Sequence, residues 1–161
     1  MEVLTLNHKE ILIRQGQVQD IEDLVGLLKE LFSIEADFEF NEARQRMGLE
    51  QILRDVSGEK CIMVAERSGK VIGMCSAQIL ISTAEGGPAA VIEDMVVFPE
   101  YRGMGIGESL LSAIQSWSIQ KGAMRMQLLA DKNNYPALDF YMKNGWGMTQ
   151  LICLRKKKNK V

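Results

Sequence analysis

Apolar residues recur along this chain at two spacings, and the points where one spacing gives way to the other mark out the elements. Glu10 to Gln15 alternates weakly and predicts a strand. After Asp20, the residues Ile21, Leu24, Val25, Leu27, Leu28 and Leu31 form a stripe at helical spacing and predict a helix. Glu42 to Val56 predicts a second helix, with Met47, Ile52, Leu53 and Val56 turned inward and an end near Gly58. Lys60 to Glu66 and Lys70 to Ile81 are strand-like runs joined by Arg67-Ser68-Gly69, a hairpin signature. Ser82 to Ala90 has the composition of a loop, and Val91 to Phe98 follows as an apolar strand. Ile106, Leu110, Leu111 and Ile114 return to helical spacing, with an end near Gly122. Arg125 to Ala130 reads as another strand and Asn134 to Lys143 as a short helix with Pro136 in its first turn, where a missing N–H costs little. Trp146 to Leu154 is expected to close the chain as a last strand. No repeat or low-complexity tract divides the sequence, which predicts one domain over residues 1–161.

The chain is organised around Val91 to Leu111, where a strand runs through Pro99 and glycines at 103, 105 and 107 into a helix. Glycine at alternate positions removes side chains from the turn, so its N–H groups can converge on a ligand. Those groups lie at a helix N-terminus, where unsatisfied donors and the helix dipole favour an anion, and Arg102 adds a full charge beside them. The turn therefore predicts a phosphorylated ligand. A dinucleotide fingerprint fails, because the third glycine slot falls on Glu108 or Leu110, and a P-loop fails because Gly107 is followed by Glu108.

Composition narrows the chemistry further. A length of 161 residues at 47% hydrophobic content suffices for a sizeable core, and a formal net charge of -2 offers no general attraction to nucleic acid. The basic run Arg155 to Lys158 with Lys160 reads as a solvated tail. Three cysteines, Cys61, Cys75 and Cys153, lie far apart in apolar surroundings, and the one histidine, His8, has no nearby partner, so neither a metal site nor a disulfide framework is expected and the thiols read as buried and structural. There is no apolar run of membrane-spanning length and no basic start to the N-terminus, which makes a cytoplasmic protein the expectation.

The run Arg102-x-x-Gly105-x-Gly107, preceded by an apolar strand and a proline, resembles the pyrophosphate-binding motif Q/R-x-x-G-x-G/A of the GNAT superfamily of acetyl-CoA-dependent N-acetyltransferases. A second resemblance lies downstream, in the family pattern N-x-x-A-x-x-x-Y followed by a Gly-aromatic pair. Asn134, Ala137, Tyr141, Gly145 and Trp146 hold those positions, with Trp where Phe is usual. The resemblance covers nearly the whole chain but is strong only in Val91 to Trp146. It implies an α/β (α+β) GNAT fold, a central mixed and mostly antiparallel sheet flanked by helices. It also implies acetyl-CoA as cosubstrate, bound by the backbone of Met95, Val96 and Val97 along its pantetheine arm and by Arg102, Gly103, Met104, Gly105, Ile106 and Gly107 at its pyrophosphate, with Asn134 as a further contact. A homodimer is common in the family, and an exposed C-terminal strand could support one.

Acetyl transfer to an amine needs a proton acceptor for the incoming ammonium, a donor for the thioester oxygen and an acid for the departing thiolate. By family position Tyr141 is the expected acid, its hydroxyl facing the sulfur of coenzyme A, with a packed core tyrosine as the competing reading. Glu93 and Asp94 are the base candidates; strand alternation sends them to opposite faces, and Glu93, acting through water, is preferred. IEDMVV also looks like a run in eukaryotic glucosamine-phosphate N-acetyltransferases, but six residues do not carry a substrate across. Ser33 to Asn41 (SIEADFEFN) reads first as an exposed acidic connection anchored by Phe38 and Phe40, and second, through the resemblance, as a wall of the acceptor cleft that would suit a cationic amine. The function implied is transfer of acetyl to a small-molecule amine in a ternary complex. A peptide acceptor and a non-catalytic acetyl-CoA-binding module are the alternatives.

Overall fold

The computed structural model describes residues 2–6, 9–35 and 37–158, the first of these runs and residue 9 by backbone alone. His8 and Lys160, both weighed above, lie outside the described residues. The chain divides into two compact units, Met1–Leu128 and Leu129–Val161.

In the first unit, six strands form one sheet in chain order: β1 (Glu2–Leu6), β2 (Lys9–Gln15), β3 (Lys60–Arg67), β4 (Lys70–Ser82), β5 (Gly87–Val97) and β6 (Arg125–Leu128). Every neighbouring pair is antiparallel except β5 and β6, which are parallel. The helices α1 (Ile21–Ile34) and α2 (Glu42–Leu53) come between β2 and β3, and α3 (Ile106–Gln120) forms the crossover from β5 to β6. A parallel pair cannot be closed by a tight turn, so the sequence needs this helix where it places it.

The two faces of the sheet take different helices. Ile62, Val64, Met74 and Val96 pack against Leu24, Val25, Leu27 and Leu28 of α1, together with Leu49 of α2. On the other face Gly73 lets α3 come close, since a Cβ there would stand 3.1 Å from Leu110 Cδ1 and 3.1 Å from Val97 Cγ2. Ile106, Leu110, Leu111 and Ile114 are all buried, as their spacing predicts. Truncating one of them to alanine should cost about 2–5 kcal/mol.

Several sequence expectations shift. β1 was not foreseen. α2 stops at Leu53, leaving Val56 beyond it and fully exposed, and Met47 is also exposed. The buried position of α2 is Leu49, and a residue two places away on a helix lies roughly 200° round the axis, which turns Met47 outward. The connection expected over residues 82–90 is shorter, because β4 runs on to Ser82 and β5 begins at Gly87. Pro88 is tolerated inside β5 because the ladder to β6 begins only at Ala89. Ser68 and Gly69 do form the hairpin turn between β3 and β4, both with positive φ (52° and 80°), the geometry that matches strand twist.

The second unit holds α4 (Tyr135–Lys143), capped by Asn134, whose Oδ1 accepts from the Ala137 N–H at 3.2 Å. The closing strand expected over 146–154 does not form, and no ladder includes these residues. Leu151, Ile152 and Leu154 are exposed, and Cys153, expected to be buried, is exposed with them. Alternating apolar residues give a segment the composition of a strand, but a strand exists only where its N–H and C=O groups find a paired backbone. Among the described residues no helix is long and apolar enough to cross a membrane.

Candidate active site

β5 is paired unevenly. From Ala89 to Ile92 it lies between β4 and β6, and beyond Ile92 the β6 ladder ends, so Glu93 to Val97 have a strand partner on the β4 side alone. The backbone groups of Met95 to Val97 that face away from β4 are thus left without a ladder. Val96 is buried, while Met95 and Val97 are half-buried.

The break coincides with a bulge. The β4–β5 register runs regularly from Ser82–Gly87 to Ser76–Glu93, then slips before Met74–Val96. Asp94 occupies the extra position with φ 54°, in the left-handed region that Asp and Asn tolerate better than other non-glycine residues. This conformation breaks the alternation on which the placing of Glu93 and Asp94 on opposite faces relied. Glu93 is exposed and Asp94 half-buried.

Burial, reinforced by the neighbouring charge of Glu93 and opposed by a hydrogen bond from Ser76, pushes the Asp94 carboxyl up to about 6. A carboxylate in that range is still ionised at neutral pH and is basic enough to take a proton. Ser76 is buried on β4, and its Oγ lies 3.2 Å from Asp94 Oδ2 and 3.1 Å from the Glu93 carbonyl oxygen. Sequence reasoning missed Ser76, although counting back in equal steps from Ser82 and Gly87 sets it opposite Glu93. Burial also pushes the Cys75 thiol far above its ordinary range and Cys61 up to about 12, so both remain thiols at neutral pH and offer no nucleophile.

Beyond β5 the chain makes a short 3-10 turn at Pro99–Tyr101 and enters the glycine turn. Gly103 and Gly105 have φ 74° and 75°, and a Cβ at either would meet nothing within 4 Å, which leaves the cradle open. Gly105 is the N-cap of α3 and has no side chain with which to satisfy the first-turn N–H groups. These residues fit a diphosphate, which calls for convergent donors in an open concavity. Arg102 is less available than the sequence suggests. Its Nε donates to the Val97 carbonyl at 2.9 Å and its Nη2 to Glu30 Oε1 of α1 at 3.0 Å.

The remaining candidates belong to the second unit. Tyr141 is half-buried on α4, edge-on to Trp146 with centroids 6.1 Å apart, and its carbonyl accepts from the Trp146 backbone N–H at 3.1 Å. Asn134 spends its side-chain oxygen on the helix cap. In the acidic connection, Phe38 stacks on Phe32 at 5.4 Å and Phe40 packs, partly buried, against the core.

A family model described as the acetyltransferase (GNAT) family matches residues 23–146. An uncharacterised N-acetyltransferase of Archaeoglobus fulgidus is 27% identical over 132 residues, which is 80% of this chain and 88% of that protein. The aminoalkylphosphonate N-acetyltransferase of Salmonella typhimurium is 27% identical over 134 residues, 83% of each. Among solved structures, an aminoglycoside N-acetyltransferase in complex with CoA superposes with a TM-score of 0.80 at 23% identity, covering 96% of this chain and 99% of that one.

Proposed function

The chain belongs to the GNAT acetyltransferase family, and on that premise we propose that this N-acetyltransferase moves the acetyl group of acetyl-CoA directly to a primary amine of a small molecule, in a ternary complex. The observation that carries the reading is the succession along the chain of a bulged carboxylate, a strand edge without a ladder and an open glycine turn. A ligand with an extended amide-bearing arm and a diphosphate needs the edge and the turn in that order, and a protonated amine needs the carboxylate. Relatives named for aminoalkylphosphonate, thialysine and aminoglycoside acetylation support a small-molecule acceptor.

Acetyl-CoA supplies the acyl group as a thioester, and the chain's own residues do the rest. Met95 to Val97 hold the arm through backbone groups, and Gly103 to Gly107 hold the diphosphate through N–H groups at the head of α3. Asp94 takes one proton from the incoming ammonium and so replaces Glu93 as the preferred base, while Glu93, exposed beside it, favours a cationic acceptor electrostatically. The free amine then forms the new N–C bond as the C–S bond breaks, and the electron pair leaves with sulfur. Tyr141 gives the thiolate a proton and regains one from solvent, which also takes the extra proton left on the new amide nitrogen; this role of Tyr141 rests on its motif from Asn134 to Trp146. Asn134 contributes by capping the helix that carries Tyr141.

The test is a mass-spectrometric search for acetylated products after incubation with acetyl-CoA and a panel of polyamines, amino acids, amino sugars, aminoglycosides and short peptides. An acetylated small molecule is the expected outcome. A product confined to peptides would move the acceptor class to proteins, and no product despite measured acetyl-CoA binding would favour a binding module.

A further inference from the structure

A hydroxyl has one proton to donate and two lone pairs with which to accept. Ser76 Oγ has two acceptors within reach, the Glu93 carbonyl oxygen at 3.1 Å and Asp94 Oδ2 at 3.2 Å, and it cannot satisfy both at full strength. Ser76 is 2% exposed, so bulk water does not relieve the conflict. All three groups sit at the bulge, where the register slips and Asp94 takes a positive φ. We propose that Ser76 is the positioning residue of Asp94, a hydroxyl that reverses its hydrogen bond when Asp94 gains or loses a proton. The proposal rests on the reading of Asp94 as the proton acceptor.

Two complete arrangements exist. With Asp94 ionised, Ser76 donates to Oδ2, and the Glu93 carbonyl keeps its place in the ladder opposite Ser76, with the weak Cys75 thiol donor 3.9 Å away. With Asp94 protonated, the carboxyl O–H donates to Ser76 Oγ and the serine proton turns to the Glu93 carbonyl. Only the proton taken from the substrate's ammonium is added between the two states, and release to solvent restores the first. Ser76 therefore keeps Oδ2 hydrogen-bonded in both states, so the half-buried carboxyl gains its proton without losing its partner.

The neighbours leave this role to Ser76. Besides burial, Glu93 beside Asp94 raises it and the Ser76 hydroxyl on β4 lowers it, while Asp94 in turn raises the Cys75 thiol on β4, which stays neutral.

The experiment is a pH titration of the wild-type chain, Ser76→Ala, Ser76→Cys, Ser76→Thr and Asp94→Asn, read in two ways. The first readout is the acidic limb of kcat/KM for the acceptor found above, and the second is the 13C shift of the Asp94 carboxyl in the protein without ligand. Ser76→Ala should raise the Asp94 midpoint by about half to one pH unit, with a three- to tenfold loss of kcat/KM near pH 6 that shrinks to about twofold at pH 8.5. Ser76→Thr, which keeps the hydroxyl, should hold the wild-type midpoint. If Ser76→Ala does not fold, Ser76→Cys, close in size but a weak donor, should shift the midpoint in the same direction. An unmoved carboxyl midpoint with activity lost equally at every pH would overturn the proposal. Survival of the acidic limb in Asp94→Asn would instead overturn Asp94 as the base, and the carboxyl shift in the serine variants would still report on Ser76.

Discussion

The two halves of β5 share one strand and face opposite demands. From Ala89 to Ile92 it is paired on both sides, with Ala89, Ala90 and Ile92 fully inside, and its residues are small or apolar as a central strand requires. Glu93 to Val97 begins with two acids, is bulged, and has lost one of its two neighbours. Two adjacent carboxylates would be costly in the first half, where nothing could hydrate them. In the second half they sit where the ladder has ended, one exposed and one half-buried. One end of the strand thus holds the sheet together, and the other is the end proposed to bind and react.

If that division is right, substitutions in the open half should cost function and those in the closed half should cost stability. The largest effect is expected from Asp94→Asn, which keeps a residue that tolerates the positive φ but removes the base: kcat/KM should fall about a hundredfold or more in steady-state assays. The same variant should be the more stable protein at pH 8. Between about pH 4 and 6 the folded wild-type chain holds a proton that the unfolded chain has released, so its stability falls as pH rises through this window and stays reduced above it. Thermal melts should show Asp94→Asn ahead by on the order of 2 kcal/mol at pH 8, with the advantage gone below pH 4. Equal stability at pH 8 would mean that the carboxylate is not held at a cost.

Gly105→Val tests the turn that the open half leads into. Valine at φ 75° is strained even with room for its Cβ, and the affinity for coenzyme A measured by calorimetry should drop about a hundredfold. A smaller and separable effect is expected in the second unit, where Tyr141→Phe should lower kcat more than about tenfold and leave the coenzyme A dissociation constant nearly unchanged. An unchanged kcat would return Tyr141 to a packing role beside Trp146. The control is Ala90→Leu in the closed half, which should cost about 1–3 kcal/mol by overpacking while kcat/KM of the folded fraction stays within about twofold.

Much of this arrangement was legible in the residues. Helical spacing found α1 and α3 because each keeps an uninterrupted stripe, and the glycines announced the turn because few other uses require them at alternate positions. What stayed hidden depended on pairing. The 146–154 segment has the alphabet of a strand, yet only a partner could have made it one. The partial pairing of β5 turns on β6 being only four residues long, which no feature of β5 itself records. Ser76, and the different settings of Glu93 and Asp94, escaped for a related reason: alternation assumes a regular strand, and a bulge that slips the register is visible only when both strands are considered together. Arg102 stands out in its motif, but its tie to Glu30 joins elements distant in sequence.

The order of strands in the sheet follows the order in the chain, and that bears on how the molecule assembles. The β3–β4 and β4–β5 hairpins close over short loops at small entropic cost, and a nucleus made from them can form early. β6 can dock only after the chain has travelled through the glycine turn and the whole of α3. The phosphate cradle therefore lies inside the segment whose closure comes late. A cosubstrate that binds there should slow unfolding more than it speeds refolding, acting as a latch on an otherwise local and quickly built sheet.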